Sequence, residues 1–393
     1  MTLAGGFQTG HPTAAHRLAR YRSEFPIFRD RSYLNTCSLG ALGERARRKA
    51  TQFLDAWDAR GAAAWYDVWG AALAELRERY ARVVGAAGEE IALAPSISVA
   101  LSAVAEALDY TRRPKVVVTS LDFPTVAYQW LAKRARGVEL VVVESPDQVS
   151  VPVDAIARAV DERTALVATS HVYFTSGAIQ DIRAVAQAAH ARGALCLIDA
   201  YQSVGQVPCD VRAADVDFLT AGGLKWLLGG PGIVFLYARA ELARRLEPGI
   251  AGWFGHKRQF AFEPRALERH DDARRFELGT PSLAAIYTQL GGLEYIEEIG
   301  VPAIRDVTAA LTEDLIARAC AAGFRPKVAT RAEDRSAIVM LPAGDPTERV
   351  RHLAAAGIIA DARPGHVRLS PFFYNVQDDY VAALERLAAQ SDH

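Results

Sequence analysis

Between about residues 90 and 240, short β-branched apolar runs alternate with longer Ala-rich amphipathic runs, the pattern of βα units around a buried parallel sheet. The strand-like runs are PKVVVTS (114–120), VELVVV (138–143), TALVATS (164–170), ALCLIDA (194–200), VDFLTAG (216–222) and GIVFLYA (232–238). Helical runs lie between them, among them PTVAYQWLAKRARG, VDAIARAVDE and DIRAVAQAAHARG, the last closed by Gly193 as a helix stop. Upstream, ERARRKATQFLDAWDARG and WGAALAELRERYARVVG predict two helices. Downstream, the stretch from Gly249 to about Thr280 is irregular and rich in aromatic residues; it is longer than most loops in compact domains and so hints at function. From about residue 285 the pattern predicts a smaller α+β unit: helix ALTEDLIARACAAG, strand SAIVMLP, helix PTERVRHLAAAG and a short strand through VRLSP.

Length agrees with more than one unit, since 393 residues exceed one ordinary core. Hydrophobic residues make up 50% and charged residues 23%, as in soluble globular proteins. Lys plus Arg (45) nearly balance Asp plus Glu (46), so no cationic excess is available to hold nucleic acid or an anionic membrane, and neither partner is expected. Cys37, Cys196, Cys209 and Cys320 are far apart and form no CxxC pair, which argues against zinc and against a disulfide framework; they are read as packing residues. The first thirty residues lack a continuous apolar stretch, and no later run reaches the roughly 18 apolar residues of a membrane helix, so a cytoplasmic location is expected.

The strand ALCLIDA delivers Asp199 at its carboxyl end, and Lys225 follows shortly after the strand VDFLTAG. Ligands of open α/β sheets sit outside the carboxyl ends of strands, so both side chains can face one crevice. That pair suits pyridoxal phosphate (PLP). The lysine amine condenses with the cofactor aldehyde as a Schiff base, and a carboxylate against the pyridine nitrogen keeps it protonated, which makes the ring an electron sink.

The segments around these two residues carry a resemblance. In order they are YLNTCSLGALG (33–43), APSISVA (94–100), DFPT (122–125), SHVYFTSGAIQDI (170–182), DAYQSVGQVP (199–208), GGLKWLLGGPG (222–232), GWFGH (252–256), RRFELGTPS (274–282) and RLSPFFYN (368–375). Together they resemble the class V aminotransferase family of fold-type I PLP-dependent enzymes, within it the kynureninase-like branch. The resemblance implies an α/β fold with a mostly parallel seven-stranded sheet in a large domain and a smaller α+β C-terminal domain. It implies three parts: residues 1–45 as an N-terminal segment packing on the small domain and the active site, 46–284 as the large PLP-binding domain, and 285–393 as the small domain. It implies PLP as cofactor, a small-molecule amino acid as substrate, and a homodimer with shared active sites.

Roles follow position by position. Ser96, Ile97 and Ser98 precede a helical run, whose N-terminal amides attract phosphate. Phe123 matches the residue that stacks on the PLP ring in kynureninase-like enzymes, and Gln202 matches the family position beside the cofactor's phenolic oxygen. Trp253 resembles the indole phosphate ligand of kynureninase-like enzymes, and Thr280 corresponds to a residue that reaches the neighbouring subunit's phosphate. Arg368 corresponds to the arginine that grips the substrate α-carboxylate with two parallel hydrogen bonds, with Arg363 as rival.

Three departures shape the expected reaction. The family's polar residue and His or Tyr before the lysine are replaced by Gly222, Gly223 and Leu224. Where kynureninases carry an asparagine, the segment SHVYFTSG has Tyr173 and Phe174. The stretch AAGIIADARPGHVRLSP lacks the nucleophilic cysteine of desulfurases. A transaminase is therefore expected, with a kynureninase-like hydrolase of β-acyl amino acids as the alternative. A non-catalytic PLP binder is the alternative of another class, disfavoured because such a protein has no use for a carboxylate clamp.

Overall fold

The structure is a computed structural model that describes residues 18–389; residues 1–17 of the expected N-terminal segment, and 390–393, lie outside the described residues. A two-residue strand, β1 (Ser32–Tyr33), leads into the helices Glu44–Arg60 and Trp69–Val84. The central sheet then follows: β2 (Ile91–Ala94), β3 (Lys115–Thr119), β4 (Glu139–Val143), β5 (Thr164–Ser170), β6 (Leu195–Asp199), β7 (Phe218–Gly222) and β8 (Val234–Ala238). Its order is β2-β8-β7-β6-β5-β3-β4, seven strands in all. Six of them point the same way, and β8 runs antiparallel to both its neighbours.

Both faces of the inner strands are buried, which is why those strands carry near-continuous apolar runs rather than alternate ones, while β4 at the edge is partly exposed. Val116, Val118, Leu197, Phe218 and Leu236 pack on one face, while Val117, Cys196, Ile198, Leu219 and Phe235 pack on the other. The run GIVFLYA departs from the βα expectation. Only residues 223–233 join β7 to β8, with no helix between them, and a parallel return needs a longer crossover. Strand β2 escaped the periodicity because IALA is short and has a single β-branched residue. The helix Ile182–His190 starts where Asp181 caps it, accepting from the Ala184 amide at 2.9 Å, and Gly193 (φ +68°) turns the chain into β6. The aromatic stretch after Gly249 holds only single-turn helices, Trp253–Gly255, Gln259–Ala261 and Ala273–Phe276.

Beyond it, the helices Leu283–Ile299 and Val301–Ala321 lead to an antiparallel sheet of order β11-β12-β9, from β9 (Val339–Pro342), β11 (Asp361–Arg363) and β12 (His366–Leu369). It packs through Val339, Leu341, Val367 and Leu369 against Leu311 and Leu315 and against Tyr380 and Leu384 of the helix Gln377–Ala388. Helix Leu283–Ile299 was not expected from the pattern; it is buried along most of its length and offers little polar face to give it a period. Strand β1 pairs in parallel with β10 (Ile358–Ile359) as a separate two-stranded sheet, which ties the early segment to the C-terminal part of the chain. Among the described residues no helix is long and apolar enough to cross a membrane.

Candidate active site

The carboxyl ends of β3, β5, β6 and β7 converge on one side of the sheet, and a cavity of about 340 Å³ opens there. Its wall includes Ile97, Phe123, Asp199, Gln202 and Lys225, five of the ten residues singled out in the sequence.

Lys225 makes no ion pair among the described residues; its Nζ lies 4.7 Å from the centre of the Tyr201 ring. Burial pushes the amine below the usual lysine range, and the Arg368 and Arg363 cations push the same way against Cys37 and Asp199. Asp199 is 5% exposed, and one carboxylate oxygen accepts from the Tyr201 amide at 2.9 Å. Burial pushes this carboxyl up, and no hydrogen bond reaches its second oxygen among the described residues. A buried carboxylate with one free oxygen, facing an unpaired amine across a cavity, lacks a cationic partner of its own. A group that brings a protonatable ring nitrogen and an aldehyde satisfies both, so the residues present fit PLP.

Gln202 is locked into the protein. Its Nε2 donates to the Cys37 carbonyl at 2.9 Å, and its Oε1 accepts from the Trp226 indole at 2.9 Å. Phe123 stands edge to face with Phe174, ring centres 5.2 Å apart, and both line the cavity. Phe123 is held by its neighbour Asp122, a buried carboxylate that accepts from the amides of Thr119 (2.7 Å) and Ser170 (2.6 Å) and the Thr169 hydroxyl (3.0 Å). Those bonds pin the ends of β3 and β5 together. Ser96 caps the helix Ile97–Ala107, its Oγ accepting from the Val99 amide at 3.3 Å. Ser98 sits exposed in the first turn, so Ser96, Ile97 and Ser98 form an open helix N-terminus beside the cavity.

The arginines are arranged in a way the sequence did not reveal. Arg368 is 1% exposed and lies beneath the cavity wall; it donates to the Phe174 carbonyl at 2.9 Å and to Ser38 Oγ at 2.8 Å, and pairs with Asp361. Arg363 lines the cavity and donates to the other oxygen of Asp361 at 2.8 Å. One carboxylate thus bridges two guanidinium groups. Burial alone would raise the Asp361 carboxyl, but the Ser38 hydroxyl, Arg368 and Arg363 hold it below the usual carboxylate range. The Nε of Arg368 is buried and has no hydrogen-bond partner among the described residues. Trp253 and Thr280 do not reach this cavity within one chain. The Trp253 indole donates to the Gln259 carbonyl at 2.6 Å, and Thr280 lines a separate hollow with Ala94, Pro95 and Val99.

Sequence reasoning passed over Cys37, Ser38, Asp361 and Tyr201. Cys37, read as packing, is fully buried but also on the cavity wall, with its amide held by Ser370 Oγ at 3.0 Å. The signal for Cys37 and Ser38 was present in YLNTCSLGALG, and that for Tyr201 in DAYQ.

With this geometry, the sequence profile named Aminotransferase class-V matches residues 48–380. The chain belongs to the class V aminotransferase family. PLP is the cofactor of class V aminotransferases and their fold-type I neighbours. An uncharacterized aminotransferase, YcbU, of Bacillus subtilis (strain 168) is 33% identical over 381 residues, covering 96% of this chain and 99% of that one. A kynureninase of Bacillus mycoides (strain KBAB4) is 29% identical, covering 96% of this chain and 92% of its own. The apo structure of a cysteine desulfurase from Thermococcus onnurineus NA1 shares the fold, with a TM-score of 0.86 at 21% identity and coverage of 94% of this chain and 97% of that one. Class V aminotransferases therefore include relatives with different reactions, and the reaction of this chain rests on its own residues.

Proposed function

We propose that the protein is a class V transaminase acting on a small α-amino acid, with Lys225 as the residue that holds PLP and moves the proton. The observation that carries this reading is the unpaired, burial-depressed amine of Lys225 sharing one cavity with the half-satisfied carboxylate of Asp199. When bound, PLP supplies an aldehyde for the amine and an electron sink for the bond broken at Cα. Asp199 holds the proton on the ring nitrogen. Lys225, poised below the usual lysine range and freed when the substrate amine takes its place on the aldehyde carbon, would accept the Cα proton and return it to that cofactor carbon across the substrate nitrogen. Arg363 and Arg368, fixed by Asp361 and Ser38, orient the substrate carboxylate.

Transamination is favoured over hydrolysis of a β-acyl side chain because Tyr173 and Phe174 stand in the segment where kynureninases carry an asparagine, and neither brings an amide to the cavity. Phe174 lines it, and Tyr173 is fully buried. Desulfuration is disfavoured because Cys37, the cysteine on the wall, is immobilised through both its amide and its carbonyl. We further propose a homodimer in which Thr280 serves the neighbouring subunit's phosphate.

The test is a half-reaction. An amino donor added to purified holoprotein without keto acid is expected to bleach the yellow colour with one equivalent per site, and a keto acid to restore it. Alanine released from kynurenine with the colour unchanged at the end of turnover would replace this reading with the hydrolase. No spectral response to any amino acid would point to a non-catalytic binder.

A further inference from the structure

The end of β7 is shaped by a side chain from the turn that follows β6. A Cβ placed on Gly222 would lie 1.9 Å from Cζ of Tyr201, and 2.2 Å from both its Cε2 and its hydroxyl. Gly222 does not have a positive φ, so the glycine is there for space, not for backbone conformation. Next to it, a Cβ on Gly223 would lie 2.0 Å from Oε1 of Gln289, and Leu224 has no polar atom in its side chain. Residues 222–224 therefore offer no side-chain donor to the cavity, and the phenol of Tyr201 fills the volume that a side chain at 222 would take.

Among the described residues Tyr201 has a hydrogen bond only through its amide, and its side chain is partly exposed on the cavity wall, so the hydroxyl is available to a group bound there. Burial raises the phenol far above its ordinary value, so it stays protonated and acts as a donor. Its ring packs on the sheet face that holds Ile97 and Val99, the first turn of the helix Ile97–Ala107, and Tyr201 and Ile97 line the same cavity. The strand register agrees: Gly222 is opposite Val234, which is opposite Ala94, and that helix begins three residues after Ala94. The free hydroxyl thus belongs to the part of the wall where helix amides collect an anion.

We propose that Tyr201 is a cofactor-anchoring residue: its phenol donates a hydrogen bond to the phosphate of PLP, supplying from the turn after β6 the donor that residues 222–224 lack. This rests on the reading that Lys225 holds PLP. A hydrogen bond to a charged group is worth about 10- to 100-fold in a dissociation constant. Apoprotein and the Tyr201→Phe variant are titrated with PLP and, separately, with pyridoxal, which has the aldehyde and ring but no phosphate. The variant is expected to bind PLP about 10- to 100-fold more weakly and pyridoxal as wild type does. Equal loosening of both, or no change in either, would overturn the proposal. As a second measurement, Tyr201→Ala combined with Gly222→Ser is expected to hold PLP more tightly than Tyr201→Ala alone, because the serine hydroxyl enters the vacated volume. A double variant no better than the single one would show that the two positions do not share a donor site. Wild-type protein that takes up no PLP on Lys225 would instead defeat the functional reading itself.

Discussion

Around Arg368, four side chains from three segments (Arg368, Arg363, Asp361 and Ser38) are interlocked by charge and hydrogen bonds, whereas around Gly222 the structure consists of main chain, a helix terminus and an intruding phenol. The two regions serve one cavity but solve opposite problems. A carboxylate recognised by a planar fork needs cations held at fixed angles, and holding two cations together needs a counter-charge, which Asp361 provides. A phosphate is collected first by amides whose direction is already fixed by a helix, so a side-chain donor added to them can come from more than one position in the chain. Recognition built from a charged fork fixes which residue stands at each place, and recognition built on backbone lets a donor move from one strand end to another.

Variants sharpen this contrast. The largest effect is expected at Lys225, where the two regions meet: Lys225→Ala removes the covalent link, so borohydride treatment and peptide mapping find no cofactor on the chain, and recovery on another lysine of the wild-type protein would contradict the assignment. Asp199→Asn keeps its volume but loses the charge; turnover is expected to fall at least about 100-fold with PLP retained, as measured by steady-state rates and absorbance. Arg368→Lys cannot reproduce the fork and leaves Asp361 poorly matched, so the amino-acid KM is expected to rise about 10- to 100-fold while the PLP dissociation constant stays put. If PLP affinity fell in parallel, the two regions would not be separable. A gentler probe is pH. Because burial lowers the Lys225 amine, the fraction able to attack the aldehyde rises early, and the rate of PLP uptake by apoprotein is expected to level off below the 10.5 of an ordinary lysine. The smallest change is expected from Trp253→Phe, since its indole is engaged by Gln259; PLP affinity should move by no more than about threefold in a dialysis measurement, the scale of one weak neutral hydrogen bond.

The same contrast explains what could be read from the sequence. Strands β3 and β5 to β8 were legible because burial on both faces leaves a nearly unbroken apolar run, β4 because its valines are β-branched although it is partly exposed, and Asp199 and Lys225 because one closes such a run and the other follows one. The direction of β8 was not, because apolar content says nothing about which way a strand points; only the short link after β7 does. Arg368 stood out by motif, but its burial behind Asp361 depends on a hairpin register, Asp361 opposite Arg368, that no local pattern encodes. Tyr201 was invisible for a related reason. Its meaning comes from the emptiness at Gly222, 21 positions later, and an absent side chain leaves no signature until two strands are laid side by side.

The pairing of β1 with β10 has a consequence for the order in which a growing chain becomes competent. The Cys37 amide waits for Ser370, which is 333 positions further along, and Cys37 in turn receives the Gln202 amide. During translation, Lys225 and Asp199 leave the ribosome with their sheet, and the segment that closes over Gln202 can already bond to Leu224 and Gln202, but its partners in β10 and at Ser370 follow more than 100 residues later. A nascent chain stalled before residue 358 would therefore display both reactive groups beside a wall that lacks its contacts with Ile358, Ile359 and Ser370.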